Sequence, residues 1–144
     1  MVQNVKEVPY GVSDFRTMVE QNIYYVDKTM YIPELEKQAR YIIFIRPRRF
    51  GKSVFLGMLH AYYDSHTKDK FEQWFGNLWI GKHPTPSQGR YQVLHLDFSM
   101  VGGNIDNLEE KFNFYLGVQL NGFVRYYDEY YSDMIKQNVD RKST

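Results

Sequence analysis

Apolar residues along the chain form continuous runs and helical repeats. The continuous run from Tyr41 to Ile45 predicts a strand buried on both faces, as in the centre of a parallel sheet. A second apolar run, from Tyr91 to Phe98, predicts another strand. Between them, the stretch from Val54 to Tyr63 is apolar nearly all round, which predicts a helix covered on more than one side. The pattern indicates an α/β fold with a parallel sheet.

Other segments carry the three- and four-residue spacing of helices. Ser13 suits the N-cap of a helix that continues to Glu20, and the segment from Lys70 to Phe75 predicts a helix that stops at glycine. A further helix up to position 39 has two possible starts, either a cap at Asp27 or a first residue at Pro33. The longest repeat begins at position 106 with a capping-box-like pair of acids and predicts a helix to about position 136.

Two strands are too few for a buried parallel sheet. The short segments 23–26 and 78–80 are weaker strand candidates, whereas sheets usually have about four to six strands. We therefore expect the front part of a larger, incomplete α/β domain. The expected organisation is one truncated domain over residues 1–144. It would comprise a helical lead-in (8–40), part of the core (41–136) and a frayed tail (137–144).

Composition narrows the class of protein. The 144 residues carry a net charge of +1, which provides no overall attraction to nucleic acid or membranes. The chain has no cysteine, which excludes disulfides and thiolate metal sites. No apolar run approaches the ~18 residues of a membrane span, and the first seven residues have no signal-peptide core. These features predict a cytoplasmic protein without a membrane segment.

The candidate chemistry lies in the loop between the first predicted strand and the apolar helix. Its eight residues, from Arg46 to Ser53, read R-P-R-R-F-G-K-S, against the phosphate-binding pattern G-x-x-x-x-G-K-[ST]. Arg46 replaces the first glycine, and Pro47 would shape the loop in its place. The first amides of a helix are unpaired and carry partial positive charge, so phosphate is favoured there.

The pattern assigns roles within this loop. Gly51 would admit phosphate close to the backbone, Lys52 would reach the β- and γ-phosphates as the catalytic lysine, and Ser53 would ligate Mg²⁺. The expected cofactors are ATP and Mg²⁺. The residues predicted to bind the cofactor are Arg48, Arg49, Phe50, Gly51, Lys52, Ser53 and Val54. The alternative is a basic surface turn.

Other polar residues give weaker signals. Asp97 ends the second predicted strand and would suit a Walker B aspartate by pattern alone, or else a structural residue that caps the following turn. The four histidines lack metal-ligand spacing. For Asp27 and Lys28, the simpler interpretation is a helix cap and a surface lysine.

Four stretches together resemble a known family. They are P-Y-G-V-S-D-F from Pro9, Y-V-D-K-T from Tyr25, the R-P-R-R-F-G-K-S loop, and L-D-F-S from Leu96. Their order and spacing are similar to those of the predicted AAA-ATPase-like proteins, in which the loop has this same form. The resemblance covers most of residues 8–136.

The resemblance implies an ASCE-type P-loop ATPase fold with three layers, with ATP and Mg²⁺ bound at Lys52 and Ser53. It also implies a nuclease-like domain of the PD-(D/E)XK type in the full-length protein. The family's Walker B strand, which resembles L-I-D-E-Y-D, has no counterpart in these 144 residues. Hydrolysis is therefore left open. The alternatives are a non-catalytic nucleotide-binding or scaffold fragment and, less favoured, a nucleic-acid-binding fragment that uses the basic loop.

Overall fold

The computed structural model describes residues 6–38, 40–102 and 107–132. The chain divides into two compact units, the first ending at Tyr91 and the second beginning at Gln92. The described residues of the first unit form five α-helices: α1 (Phe15–Glu20), α2 (Ile32–Lys37), α3 (Lys52–Tyr63), α4 (Phe71–Phe75) and α5 (Trp79–Lys82). Two 3₁₀ helices, Thr29–Tyr31 and Ser65–Lys70, lead into α2 and α4.

Side chains next to the first helices fix where those helices begin. Asp14, rather than the predicted Ser13, caps α1, because one of its carboxylate oxygens accepts from the Thr17 N–H at 2.8 Å. Pro33 lies in the first turn of α2, as in the second of the two predicted starts. Asp27, one residue before the N-cap Lys28, accepts from the Thr29 N–H at the start of the 3₁₀ turn that leads into α2.

Helix α3 is the centre of the first unit. It buries Phe55, Met58, Ala61 and Tyr62, and α1 and α4 pack against it. Phe15 of α1 stacks on Phe75 of α4 with ring centroids 5.1 Å apart. Burying a side chain of this size stabilises a fold by about 1.5–3 kcal/mol, so these contacts hold α3 in place.

A polar network joins α2 to the far end of α3. Glu36 accepts hydrogen bonds from the hydroxyls of Tyr63, at 3.1 Å, and Thr85, at 2.8 Å. Burial and the nearby Glu36 carboxylate raise the pKa of Tyr63. The Tyr62 hydroxyl accepts from the Thr85 N–H at 2.8 Å, which fixes the loop after α5.

The second unit is built on α6 (Leu108–Tyr126), and residues 128–132 are again helical after a break at Tyr127. Segment 92–98 is irregular and is held by side chains of this helical region. The Tyr127 hydroxyl accepts from the Val93 N–H at 2.9 Å. The Gln119 amide accepts from the Asp97 N–H at 2.5 Å and donates to the Asp97 carbonyl at 3.0 Å. The Gln119 side chain thus forms hydrogen bonds with both the N–H and the carbonyl of Asp97, the two groups that a neighbouring strand would pair.

The predicted α/β fold with a parallel sheet is wrong for the part of the chain that the structure describes. Residues 6–38, 40–102 and 107–132 contain no strand, and their only strand-like pairing is an isolated parallel bridge between Asp64 and Tyr91. The run 41–45 is irregular, and its apolar side chains are 40–86% exposed. A continuous apolar run becomes a buried strand only when strands flank it, and no described segment pairs with this one. The three-layer P-loop architecture is therefore not formed here.

The other boundaries vary in how well they were predicted. The helix over 54–63 is confirmed and begins two residues earlier, at Lys52. The weaker strand candidate at 78–80 is instead the start of α5. Both predicted ends of the long helix, near 106 and 136, lie outside the described residues. The organisation of residues 1–144 as one domain stays a prediction.

Candidate functional site

The loop before α3 ends in a glycine-capped helix start. Gly51 is the N-cap and has a left-handed backbone, with φ +73°. The first hydrogen bond of the helix runs from the Phe55 N–H to the Gly51 carbonyl at 2.9 Å, and no side chain caps this end. The amides of Lys52, Ser53 and Val54 precede that bond, so they are the free donors that a helix start offers to an anion.

Glycine is required at position 51 by backbone geometry rather than by space. A Cβ placed on Gly51 would have the Lys28 Nζ at 3.5 Å, an ordinary contact. Its φ of +73°, however, is one that other residues adopt at a cost of roughly 1–2 kcal/mol. Arg49, two residues earlier, has φ +66°. Backbone strain of this kind is concentrated at functional loops in many proteins.

Lys52 is folded back over the loop. Its Nζ donates to the carbonyl of Arg46 at 2.5 Å and lies 3.4 Å from the carbonyl of Pro47. An ammonium group has three donors, so it can hold the loop closed and still meet an anion. The lysine thus ties the start of the loop to the start of the helix.

Two neighbouring cavities adjoin the loop, with volumes of about 680 Å³ and 450 Å³. Lys28, Arg46, Phe50 and Gly51 line both of them. The larger cavity is bordered on its other sides by the 3₁₀ turn before α2, by Glu34 and Leu35 of α2, and by Ile42 and Phe44. The smaller one is also lined by Arg49 and by aromatic and apolar residues that precede α2.

Asp27 fixes the turn that brings Lys28 to these cavities. Its Oδ1 accepts from the Thr29 N–H at 2.8 Å and from the Thr29 hydroxyl at 2.7 Å. Its Oδ2 accepts from the Trp79 N–H at 2.7 Å. Thr29 is fully buried, and its hydroxyl oxygen accepts from the Ile80 N–H at 3.1 Å. Residues 27–29 are therefore fastened to the start of α5.

The predicted site residues are distributed unevenly around the cavities. Phe50 and Gly51 line both, while Arg49 and Val54 line the smaller one. Arg48 is exposed in the turn and lines neither of these two cavities. Ser53 is exposed in the first turn of α3. The binding roles assigned to these residues stay predictions.

Lys28 is the residue that sequence reasoning left on the surface and that the structure places beside the loop. The available signal was its position in the Y-V-D-K-T stretch of the family pattern. That signal did not indicate a site, because spacing along the chain does not show which turn will meet the loop.

Asp97 lies in the second unit and has a local role. Its Oδ1 accepts from the Ser99 N–H at 2.8 Å, which closes the turn that follows. Hydrogen bonds from Ser99 lower the pKa of this exposed carboxyl. The geometry matches the predicted structural role. Among the described residues, no group of three or more histidine, aspartate or glutamate side chains is arranged to hold a metal ion.

Tyr25, beside the smaller cavity, is the most strongly perturbed titratable group near the loop. Burial raises the pKa of Tyr25 to about 12. Its ring packs edge-on against Phe15 with centroids 5.2 Å apart, which joins the wall of this cavity to the core.

Comparison with known proteins identifies the family. The model of a family described as predicted AAA-ATPase matches residues 9–143. The chain belongs to this AAA-ATPase-like family. The match spans both units and includes the Arg46–Ser53 loop, and it confirms the family predicted from the four sequence stretches.

A relative covers a smaller part of the chain. A protein of Azotobacter chroococcum mcd 1, described as "Uncharacterized protein in vnfD 5'region", is 44% identical over 55 residues. The alignment covers 38% of this chain and 11% of that protein. No solved structure matches the chain significantly. Within the described residues, no helix is long and apolar enough to cross a membrane.

Proposed function

We propose that this AAA-ATPase-like chain binds ATP together with Mg²⁺ at the loop from Arg46 to Ser53. The observation that carries the proposal is the helix start at Gly51, where the amides of residues 52–54 precede the first helical hydrogen bond and no side chain caps them. Family membership supports a nucleotide as the anion, because the matched region contains this loop.

The donors around the loop suit a polyphosphate. The backbone amides that follow Gly51 would receive phosphate oxygens, and Lys52 would neutralise their charge while it remains tied to the Arg46 carbonyl. Arg48 and Arg49 add two further cations within three residues of Gly51. A polyphosphate would offset the mutual repulsion of these charges.

Mg²⁺ fits this site only as a companion of the phosphates. Mg²⁺ prefers about six oxygen ligands and keeps several waters. The Ser53 hydroxyl is the oxygen that the predicted metal site supplies from the loop. The ion would therefore enter with the triphosphate and use Ser53 as a single protein ligand. Its role would be to neutralise phosphate charge.

The proposal is limited to binding. The two carboxylates that line the larger cavity, Asp27 and Glu34, are already engaged. Asp27 accepts from Thr29 and Trp79, and Glu34 pairs with Lys37 at 2.9 Å. Neither carboxylate is therefore proposed as a base that activates water. This arrangement favours nucleotide binding without turnover as the function of this part of the chain.

Equilibrium binding of a fluorescent ATP analogue tests the proposal directly. Hydrogen bonds to charged groups are worth about 1.5–3 kcal/mol, so Lys52→Ala should weaken binding by about tenfold or more. Lys82→Ala is the matched control, because Lys82 is an exposed lysine of the same unit that lines neither cavity. Equal affinity of the wild type and Lys52→Ala would refute the proposal.

Turnover is measured separately, by following phosphate release from ATP with Mg²⁺ present. Retained binding without release is the expected result. Release that depends on Lys52 would show hydrolysis by this chain, and the restriction to binding would then be wrong.

A further inference from the structure

The larger of the two cavities beside the loop has a cation that the loop motif does not include. Lys28 precedes Gly51 by 23 positions, yet its Nζ lies 3.5 Å from where a Cβ on Gly51 would be. Lys28 also lines both cavities, together with Arg46 and Gly51. Its ammonium group thus lies against the part of the backbone that ends the loop.

This ammonium group has no counter-charge of its own. Within residues 6–38, 40–102 and 107–132, no carboxylate lies within 4.0 Å of the Lys28 ammonium, and its Nζ makes no hydrogen bond. The two acids that line the larger cavity, Asp27 and Glu34, are occupied by backbone N–H groups and by Lys37. A half-buried charge without a partner is unfavourable, so an anion bound beside Lys28 would compensate its charge.

The turn that carries Lys28 is rigid. The adjacent Asp27 carboxylate holds the buried Thr29 on one side and the start of α5 on the other. A lysine on a fixed turn loses less conformational freedom when it binds than one on a mobile loop. The backbone at position 28 is therefore already set for a ligand at Gly51.

We propose that Lys28 is a phosphate-contacting residue of this site. The inference rests on the proposed function, since it assigns one more residue to the same site. Lys28 and Lys52 would then supply two ammonium groups from different segments of the chain. The ligand class is a di- or triphosphate, because the cations of the cavity wall and loop outnumber the charge of a single phosphate.

The test uses the full chain and two probes, Mg–ATP and inorganic triphosphate, the second of which has no base or sugar. The variants are Lys28→Gln, which removes the charge, and Lys28→Arg, which keeps it. Because the Lys28 side chain is only partly buried, we expect Lys28→Gln to weaken the binding of both probes by about three- to tenfold. Lys28→Arg should stay within about twofold of the wild type, since the phosphate contact is mainly a charge interaction.

Two readouts separate a phosphate contact from a structural role. The dependence of binding on salt concentration should become shallower in Lys28→Gln, because one cation fewer faces the polyphosphate. Its unfolding temperature should match that of the wild type, because the Lys28 ammonium makes no hydrogen bond or ion pair with the described residues. Lys82→Ala serves as the control for the loss of an exposed lysine that lines neither cavity.

The outcomes distinguish this inference from the proposed function. If Lys52→Ala weakens binding and Lys28→Gln does not, the role of Lys28 is refuted while the loop site stands. If neither change affects the binding of either probe, both are refuted. An equal loss in Lys28→Arg and Lys28→Gln would also refute a charge contact.

Discussion

Asp27 holds the turn beside the candidate site with both of its carboxylate oxygens, so removing one oxygen should measurably destabilise the first unit. In Asp27→Asn, one oxygen becomes an amide NH₂, which cannot accept a hydrogen bond. The single carbonyl oxygen of the variant can then accept from Thr29 or from Trp79 but not from both, since these two residues donate to different oxygens of Asp27. One backbone N–H would lose its acceptor.

The expected loss of unfolding free energy in Asp27→Asn follows from the kind of hydrogen bond that is lost. A hydrogen bond to a charged acceptor contributes about 1.5–3 kcal/mol, and we reduce this to about 1–2 kcal/mol because Asp27 is half exposed. For a chain of this length, that corresponds to a fall in the unfolding temperature of roughly 2–8 °C. Thermal unfolding followed by circular dichroism or calorimetry measures it.

Asp14→Asn is a matched control. Asp14 caps α1, and a single one of its oxygens, Oδ2, accepts from both the Thr17 N–H and the Thr17 hydroxyl, each at 2.8 Å. Asparagine has one carbonyl oxygen and is as good an N-cap as aspartate, so it can keep both bonds. We expect a change within about 0.5 kcal/mol. Equal effects of the two substitutions would refute the reasoning from oxygen usage.

Two further predictions concern other parts of the chain. Because burial raises the pKa of Tyr25 from 10.0 to about 12, the folded state favours the neutral phenol, so stability should fall as pH rises from 10 to about 12. Tyr25→Phe should flatten this fall in alkaline unfolding measurements, and an unchanged slope would contradict the assignment. In the second unit, Gln119→Leu should speed hydrogen exchange of the Asp97 amide by about fivefold, the equivalent of one hydrogen bond of about 1 kcal/mol. Gln119→Glu keeps the acceptor for the Asp97 N–H and should retain protection, so a loss in both variants would point to general loosening of α6.

The helices and their caps could be predicted from the sequence because they depend on neighbours three or four residues away. The apolar spacing over 54–63 gave α3 to within two residues, and Gly76 marks the end of α4 as predicted. Asp27 is the N-cap of neither the 3₁₀ turn nor α2, whose N-cap residues are Lys28 and Tyr31, but it accepts from the first N–H of that turn, at Thr29. Each of these features is decided within one or two turns of chain.

The strands could not be predicted in the same way, because a strand depends on partners distant in sequence. The run 41–45 has the composition of a buried strand, but Tyr41, Ile43 and Ile45 are each at least 85% exposed. Segment 92–98 is likewise held by Gln119 and Tyr127 rather than by a neighbouring strand. Apolar composition shows that a segment is suited to burial, whereas pairing decides whether a sheet forms.

In the candidate site too, the feature set by neighbouring residues could be predicted from the sequence, and the feature set by distant contacts could not. The glycine at the start of α3 follows from a local motif, and its left-handed backbone is the conformation that glycine adopts most readily. Lys28 reaches that glycine only because Asp27 binds Trp79, which is 52 residues away, and Thr29 binds Ile80. No local pattern contains these contacts, so the sequence could identify the loop but not the second lysine beside it.

The loop also shows how its arginines could replace the missing first glycine. Sequence reasoning gave the shaping role to Pro47, which fixes its own φ. In the structure, the unusual backbone lies at Arg49, with φ +66°, followed two residues later by Gly51. A residue other than glycine at this φ carries a backbone cost that glycine would avoid. Arg49 lines the smaller cavity together with Arg46 and Lys28. The same position therefore turns the backbone toward the helix start and adds a cation beside it, which a glycine could not do.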